Sequence, residues 1–173
     1  MIYICSLAEV LKHASTLRPT HVVSLLGDDP FPDTPEWIEA RRHLRIRVHD
    51  IGEPADGLIH PDEEHVGDLL RFGEEWARTG PVLIHCYAGI SRSTAAALTL
   101  CVQHNIGRER DAARLLRRRA PHAQPNRLMI GLADRLLGCD GRFVAAVQEI
   151  GLAEYRGPGN LVELPLELPL DLD

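Results

Sequence analysis

One segment near the middle of the chain combines residue types that could carry out chemistry: residues 85–93, HCYAGISRS. The apolar residues before it predict a buried strand that ends at Cys86, and the Ala- and Leu-rich run after it predicts a buried helix. A tight turn between the two leaves the amides of the first helical turn unpaired, and inward-pointing amides form an anion-binding nest. Arg92 adds a planar guanidinium that binds two phosphate oxygens at once. The spacing therefore predicts a phosphate-binding loop with a thiol at its base.

The thiol of Cys86 would act in this loop as a nucleophile. The helix N-terminus, the inward amides and Arg92 all favour the thiolate, which is the reactive form of cysteine. A phosphate monoester held in the loop would present its phosphorus to the sulfur in line with the leaving oxygen. A phosphocysteine would then form, and water would hydrolyse it. Ser93 would donate a hydrogen bond to the sulfur, which helps the thiolate to leave in the second step.

The leaving oxygen needs a proton, and the loop after the predicted strand 44–48 offers four carboxylic acids: Asp50, Glu53, Asp56 and Asp62. A positioned acid accelerates such a step by roughly 10²–10⁴-fold. Asp50 is the favoured candidate because it comes first, at the end of the strand, where the backbone is held most rigidly. Asp56 is the second candidate, and the choice between the two stays open at this point.

The turn itself is expected to bind the substrate phosphate together with Arg92; its residues are Tyr87, Ala88, Gly89, Ile90 and Ser91. His85 is interpreted as a supporting residue that orders the loop through hydrogen bonds, and a plain core histidine is the alternative. Asn126 is interpreted mainly as the N-cap of the following helix, and contact with the catalytic loop is the alternative.

Four strands and six helices would position these residues. The predicted strands cover residues 2–5, 21–26, 44–48 and 82–86, and the predicted helices cover residues 6–17, 62–78, 92–104, 108–119, 126–138 and 141–150. Ser6 and Asp62 are the expected N-caps of the first two helices. Strands that alternate with helices predict an α/β fold with a central, mainly parallel sheet flanked by helices on both faces. Ligands bind past the carboxyl ends of such strands, which is where Cys86 lies.

The composition is that of one soluble globular domain. The 173 residues are 45% apolar and 25% charged, which excludes global disorder. The net charge of −6 disfavours binding to nucleic acid by charge alone, and no apolar run approaches the ~18 residues that cross a membrane. No secretory signal is expected at the N-terminus. Because the four cysteines are scattered and neither they nor the histidines match a metal-site spacing, we expect a cytoplasmic protein without metal or cofactor.

Residues 85–93 resemble the active-site signature of the cysteine-dependent protein tyrosine phosphatases, His-Cys-x5-Arg-Ser. The motif lies mid-chain and an aspartate precedes it, which looks like the dual-specificity branch and unlike the low-molecular-weight branch. Residues 85–97 and 120–126 are moreover similar to compact bacterial predicted tyrosine phosphatases, and the similarity extends over most of residues 1–155. The resemblance implies a tyrosine-phosphatase-like sheet. It also implies that Cys86 is the nucleophile, Arg92 the phosphate clamp, Ser93 the thiolate helper and Asp50 the general acid.

The sequence departs from the family pattern in two places, of which the second bears on the substrate. Many dual-specificity enzymes carry Gly-Phe and then Gln-Leu after a Pro-Asn pair, whereas Pro125-Asn126 is followed here by RLMIGL. No lysine lies inside the loop, where phosphatases of highly charged inositol lipids often have one. We therefore expect a phosphorylated protein, phosphotyrosine first, or a small phosphate monoester as partner, with no nucleic acid and no membrane. A catalytically weak phosphate-binding module and a rhodanese-like sulfurtransferase are the alternatives.

Residues 1–156 are expected to form the phosphatase domain and residues 157–173 an extended arm or a flexible tail. This C-terminal part repeats a Leu-Glu-Leu-Pro unit over residues 161–170, and its prolines forbid a helix. The arginine-rich run over residues 108–119 predicts a solvated helix face, with docking of an acidic partner as the alternative.

Overall fold

A five-stranded sheet forms the centre of the protein, and the computed structural model describes residues 1–154 and 160–169. The strands are β1 (Ile2–Ser6), β2 (His21–Leu26), β3 (His43–Arg47), β4 (Val82–Cys86) and β5 (Val162–Leu164). The helices are α1 (Val10–Leu17), α2 (Glu63–Trp76), α3 (Arg92–Gln103), α4 (Glu109–Arg119), α5 (Arg127–Leu136) and α6 (Arg142–Glu149). Over the described residues, none of these helices has the length and apolar character that crossing a membrane requires.

The strand order across the sheet is β3-β2-β4-β1-β5. Strands β1 to β4 run parallel, and β5 runs antiparallel beside β1. Because parallel strands share one direction, the carboxyl ends of β1 to β4 meet at the same edge of the sheet. The loops that carry Asp50 and Cys86 both begin at this edge. The mainly parallel α/β fold predicted from the sequence is confirmed.

Helices cover both faces of the sheet, but unequally. Side chains alternate between the two faces along a strand. Val82 and Ile84 of β4 belong to a large core that includes residues of α2 to α6, whereas Leu83 belongs to a smaller cluster with Val10 and Ala14 of α1. The prediction of helices on both faces is therefore confirmed: among the described residues, α2 to α6 contribute to one face and α1 to the other.

Helix α3 lies at the centre of the large core, directly after the predicted phosphate-binding loop. It contacts β1, β2 and β4 as well as α2, α4 and α5. Residues 95–97 are three alanines without exposed surface, and their small side chains let the helix approach the sheet closely. Burial on all sides fixes the N-terminus of α3, which carries Arg92 and Ser93, relative to the end of β4.

The two predicted N-caps have different outcomes. Asp62 caps α2 as predicted, because its carboxylate accepts a hydrogen bond from the backbone N–H of His65 at 3.0 Å. The prediction for Ser6 is wrong: its side chain forms no capping hydrogen bond, and a 3₁₀ turn over Leu7–Glu9 separates it from α1. The reason is tertiary, since Ser6 pairs with Cys86 in the sheet and extends β1 by one residue.

The C-terminal segment 160–169 runs along the outside of the sheet and over the large core. Strand β5 pairs with β1 from Ile2 to Ile4, and the leucines at 164, 166 and 168 are buried while Glu163 and Glu167 are exposed. Asn105 donates to the carbonyl of Leu166 at 2.8 Å. This part of the segment is thus a docked extended arm. The predicted domain boundary between residues 156 and 157 lies outside the described residues, as does the C-terminus from residue 170.

The arginines of the predicted basic run bind their own chain. Arg108 donates to the carbonyls of residues 168 and 169 at 3.1 and 2.6 Å. Arg117 donates to four carbonyls in segments 121–123 and 150–151, at 2.7–3.3 Å. Arg110 and Arg114 pair with Glu149 at 2.7 and 2.8 Å. The prediction of a solvated face is therefore wrong for Arg108 and Arg117, which are half-buried and bind neighbouring segments to α4. It holds for Arg110 and Arg114, whose side chains stay partly exposed and form surface ion pairs.

Candidate active site

The Cys86 thiol lies at the base of the loop between β4 and α3, and the residue is 1% exposed. Its sulfur accepts a hydrogen bond from the backbone N–H of Gly89 at 3.3 Å and lies 3.1 Å from the hydroxyl oxygen of Ser93. A backbone N–H and a hydroxyl group are therefore both within hydrogen-bond reach of the sulfur. The loop thus brings Cys86 and Ser93 together as the sequence predicted.

The carbonyl oxygens of the loop point outward, where other segments bind them. The carbonyl of Tyr87 accepts from the backbone N–H of Leu7 at 3.1 Å, and that of Ile90 accepts from the backbone N–H of Gln124 at 2.9 Å. The carbonyl of Ser91 accepts from two backbone amides in the segments that follow it. With these three carbonyls bound by other segments, the loop amides are left to face the thiol, as the N–H of Gly89 does. This is the arrangement of an anion-binding nest.

Gly89 is the position where the loop needs a glycine. Its φ is +75°, a left-handed conformation that residues with a Cβ rarely adopt. A Cβ at this position would also lie 2.9 Å from the backbone carbonyl carbon of Cys5 in the neighbouring strand β1. The loop therefore packs on the β1 backbone at a distance that only a glycine allows.

The guanidinium of Arg92 is fixed under the loop and is 7% exposed as a residue. One of its terminal nitrogens donates to the carbonyl of Val48, at the end of β3, at 2.8 Å. Its Nε has no hydrogen-bond partner among the described residues and lies 3.9 Å from a carboxylate oxygen of Asp50. The buried guanidinium thus has N–H donors available to a bound anion. Phosphate suits them because it offers several acceptor oxygens.

Asp50 lies against this loop, and two neutral donors hold its carboxylate. The Ser91 hydroxyl donates to Oδ1 at 2.6 Å, and the Asn126 side-chain amide donates to the same oxygen at 2.9 Å. The other oxygen, Oδ2, faces Arg92. The side chain of Asp50 is 38% exposed, so it can exchange protons with solvent.

Asn126 joins both roles that the sequence left as alternatives. Its side-chain oxygen accepts from the backbone N–H of Met129 at 3.1 Å, which caps α5. Its side-chain nitrogen donates to Asp50 and to the carbonyl of Ile51 at 3.2 Å. Its backbone N–H also binds the carbonyl of Ser91. One residue therefore connects helix α5, the catalytic loop and the loop after β3.

The other carboxylic acids of the loop after β3 are placed differently. The carboxylate of Asp62 is occupied as the N-cap of α2. Glu53 and Asp56 are exposed, and neither forms a hydrogen bond or ion pair with the catalytic loop within the described part of the chain. The structure thus brings Asp50, and not Asp56, to the turn residue Ser91 and to the Arg92 guanidinium.

His85 lies behind the nucleophile, together with two buried residues that sequence reasoning missed. Its Nε2 is 2.6 Å from the hydroxyl oxygen of Ser24, and that oxygen is 2.8 Å from Nε2 of His43. Burial lowers the pKa of His85 to about 4, so its ring is neutral at pH 7. The missed signal is Ser24 itself, a polar residue inside the otherwise apolar run of β2, because a buried hydroxyl requires a partner.

The remaining turn residues differ in how much of their surface is exposed. Tyr87 is 60% exposed at the rim, next to the buried Cys86. Ala88 is half-buried and Ile90 is half-buried on the opposite side of Gly89. Tyr87 therefore gives the anion-binding loop an exposed aromatic ring.

The other three cysteines differ from Cys86 in their surroundings. Burial raises the pKa of Cys5 and Cys101 to about 12 and that of Cys139 to about 11. Cys5 lies on β1 beside β4, but its side chain belongs to the small cluster on the α1 face, whereas Cys86 belongs to the large core. A disulfide between the two would have to pass through the sheet. Among the described residues, no group of three or more His, Cys, Asp or Glu side chains is arranged to hold a metal ion.

Comparisons with known proteins agree on one family, although no model of a known protein family matches the sequence. The chain is 29% identical over 130 residues to MAP kinase phosphatase with leucine-rich repeats protein 3 of Dictyostelium discoideum. It is 31% identical over 134 residues to a probable dual specificity protein phosphatase of the same organism. Each match covers 74% of this chain, but only 14% and 30% of the respective relative. The chain thus spans less than a third of the length of these curated relatives.

Solved structures show the same fold. The crystal structure of DUSP15 superimposes with a TM-score of 0.63 at 23% identity, covering 86% of this chain and 89% of DUSP15. Human DUSP28 gives a TM-score of 0.59 at 20% identity, covering 86% and 94%. The loop geometry, the sequence relatives and the shared fold lead to one conclusion. The chain belongs to the cysteine-dependent protein tyrosine phosphatases, in their dual-specificity-like branch.

Proposed function

We propose that the chain hydrolyses phosphate monoesters as a metal-independent protein phosphatase, with phosphotyrosine as the leading substrate. The proposal is carried by the Cys86 sulfur, which lies beside a loop amide, and by the buried Arg92, whose Nε has no hydrogen-bond partner among the described residues. Such a loop stabilises the charge that spreads over the three equatorial oxygens of phosphorus during transfer.

In the first step the Cys86 thiolate attacks phosphorus. The sulfur–phosphorus bond forms while the ester oxygen–phosphorus bond breaks, and the leaving oxygen takes a proton from the carboxylic acid of Asp50. The position of Asp50 beside Arg92 supports this role, because a general acid must reach the leaving group on the open side of the loop.

In the second step water attacks the phosphocysteine. The carboxylate of Asp50 accepts a proton from that water, the sulfur–phosphorus bond breaks, and inorganic phosphate leaves. The departing thiolate receives the hydrogen bond of Ser93, which lies 3.1 Å away. Cys86 and Asp50 therefore act in both steps. The sulfur first attacks and then leaves, and Asp50 first donates and then accepts a proton.

Two features support a phosphorylated tyrosine over a highly charged lipid headgroup. The turn residues 87–91 contain no lysine that would bind further phosphates. The exposed ring of Tyr87 at the rim offers a flat surface on which an aromatic ring can stack.

The decisive experiment is hydrolysis of para-nitrophenyl phosphate in the presence of EDTA. Cys86→Ser is expected to abolish turnover, whereas the matched exchange Cys101→Ser in the core of α3 should retain it. Turnover by Cys86→Ser at the wild-type rate would overturn the nucleophile assignment. A wild-type chain that binds vanadate yet turns over no substrate would instead identify a phosphate-binding module.

A second pair of variants assigns the acid. Asp50→Asn is expected to lower kcat roughly 10²-fold or more with a weaker effect on KM. Asp56→Asn should change kcat little, since Asp56 is exposed and does not contact the loop. The reverse order of effects would transfer the role to Asp56. Transfer of sulfur from thiosulfate to cyanide, without phosphate hydrolysis, would establish the rhodanese-like alternative.

We also propose a reducing compartment, the cytoplasm, as the location. All four cysteines are free thiols, and a thiolate nucleophile requires the reduced state. The bacterial source expected from the resemblance stays a prediction.

A further inference from the structure

A continuous line of buried polar groups crosses the sheet behind the catalytic loop. Ser24 and His85 are register partners on β2 and β4, so their side chains share the α1 face of the sheet. Both residues have no exposed surface, and His43 of β3 is 5% exposed. Because apolar neighbours cannot satisfy hydroxyl and imidazole groups, Ser24 pairs with both His85 and His43 through its hydroxyl.

The line continues from His43 toward the surface. Nδ1 of His43 lies 2.9 Å from the hydroxyl oxygen of Thr34, and a terminal nitrogen of Arg45 donates to that same oxygen at 2.8 Å. The order from outside to inside is thus Arg45, Thr34, His43, Ser24 and His85, across three strands and the loop after β2.

The hydrogens of this line have a consistent direction. Arg45 only donates, so the Thr34 oxygen accepts from it, and the Thr34 hydroxyl keeps one hydrogen for Nδ1 of His43. We assign the hydrogen to this contact because every hydroxyl hydrogen of the line then has an acceptor. His43 then carries its hydrogen on Nε2 and donates to the Ser24 oxygen. The single hydrogen of Ser24 is left for Nε2 of His85.

This direction leaves the hydrogen of His85 on Nδ1, which has no other partner among the described residues. Burial lowers the pKa of the His85 ring, and the backbone of Cys86 raises it by a smaller amount, as an acceptor beside a ring N–H would. Burial also lowers the pKa of His43 to about 3. Each ring therefore carries one hydrogen at pH 7, as the line requires.

We propose that Ser24 and His43 are positioning residues for the nucleophile, which fix His85 as the Nδ1–H tautomer against the backbone of Cys86. The proposal rests on the proposed function, since it assigns them to the reactivity of that thiol. The serine hydroxyl sets the angle of the His85 ring, and the ring in turn holds the end of β4 from which the loop starts.

The first test needs no substitution. Nitrogen-15 NMR of the uniformly labelled wild-type chain at pH 7 distinguishes the two neutral tautomers of each histidine. We expect His43 as the Nε2–H form and His85 as the Nδ1–H form. The opposite pair of tautomers, or rapid exchange between both forms, would overturn the proposal.

The second test measures the reactivity of Cys86 by its rate of alkylation with iodoacetamide at pH 6.5, with the modified peptide identified by mass spectrometry. Ser24→Ala is expected to slow alkylation about tenfold, because two buried ring nitrogens lose their shared partner. Thr99→Val is the matched control: it also removes a buried hydroxyl, one without a partner in the described chain, and should leave the rate unchanged. Equal rates in Ser24→Ala and wild type would refute the positioning role.

Two substitutions of His43 distinguish a positioning role of this residue from a role in packing alone. His43→Gln keeps a side-chain N–H near the place of Nε2, and His43→Phe removes it while keeping a ring. We expect His43→Phe to lower kcat on para-nitrophenyl phosphate about tenfold with KM within about twofold, and His43→Gln to recover most of kcat. Equal kcat in the two variants would contradict the proposal. If the wild type hydrolyses no phosphate, the proposed function fails, while the tautomers and the alkylation rates still decide the positioning role.

Discussion

Two substitutions of Asn126 can distinguish its contribution to the stability of α5 from its contribution to the placement of Asp50. Asn126→Ala removes the N-cap of α5 and both hydrogen bonds toward the loop after β3. Asn126→Ser keeps a good capping residue, but the shorter hydroxyl cannot at the same time reach Asp50. The two variants therefore share the loss of the Asp50 contact and differ in the cap.

The expected magnitudes follow from these contacts. Loss of the cap costs about 1 kcal/mol. The bond to the Asp50 carboxylate adds about 1 kcal/mol, at the low end for a charged partner because that side chain is partly exposed to solvent. Asn126→Ala should thus lose about 2 kcal/mol and Asn126→Ser about half as much. For a chain of this size, 1 kcal/mol corresponds to a fall of about 2–4 °C in Tm.

The functional effect should be the same in both variants, since both release Asp50. We expect kcat on phenyl phosphate to fall about tenfold, a fraction of the full value of a general acid. The fall should be smaller on para-nitrophenyl phosphate, whose leaving group needs less protonation. Urea unfolding and steady-state kinetics on the two substrates measure these effects. If Asn126→Ser retains wild-type kcat on phenyl phosphate, the reasoning that Asp50 depends on this contact is refuted.

Three further predictions concern the loop, a loop anchor and pH. Gly89→Ala should lower kcat/KM at least tenfold and destabilise the chain by about 1–3 kcal/mol, because a Cβ meets the β1 backbone at a positive φ; unchanged kinetics would show that the loop can relax. Arg117→Ala should lower the free energy of unfolding, measured in urea, by about 2 kcal/mol, because four carbonyls lose their donor. Arg117→Lys should lower it by less. A loss below about 0.5 kcal/mol for Arg117→Ala, which is typical of a surface substitution, would contradict the anchoring role. His43 and His85 have folded pKa values of about 3 and about 4, below the unfolded value near 6.5, so the unfolded state binds more protons below that pH. The unfolding free energy should therefore fall by about 4 kcal/mol from pH 8 to pH 5, above the range where carboxylates contribute. A flat profile over this range would show that the rings are not held neutral.

Local sequence determined the catalytic loop and most of the elements around it. The run that became β2 and the run that ends at Cys86 were predicted at their observed positions, because consecutive apolar side chains and turn residues act within a few positions of each other. The loop itself was predictable for the same reason: Gly89 and Arg92 lie within six residues of the thiol that they serve.

The tertiary structure decided which distant groups meet that loop. Asn126 reaches Asp50 across 76 positions, and Ser24 reaches His85 across 61. These contacts depend on the order β3-β2-β4-β1, which places β2 between the strands that carry the two histidines. Hydrophobic periodicity gives the face of a strand that is buried but not its neighbour in the sheet, and so the buried polar line and the placement of the acid arise only when the chain is folded.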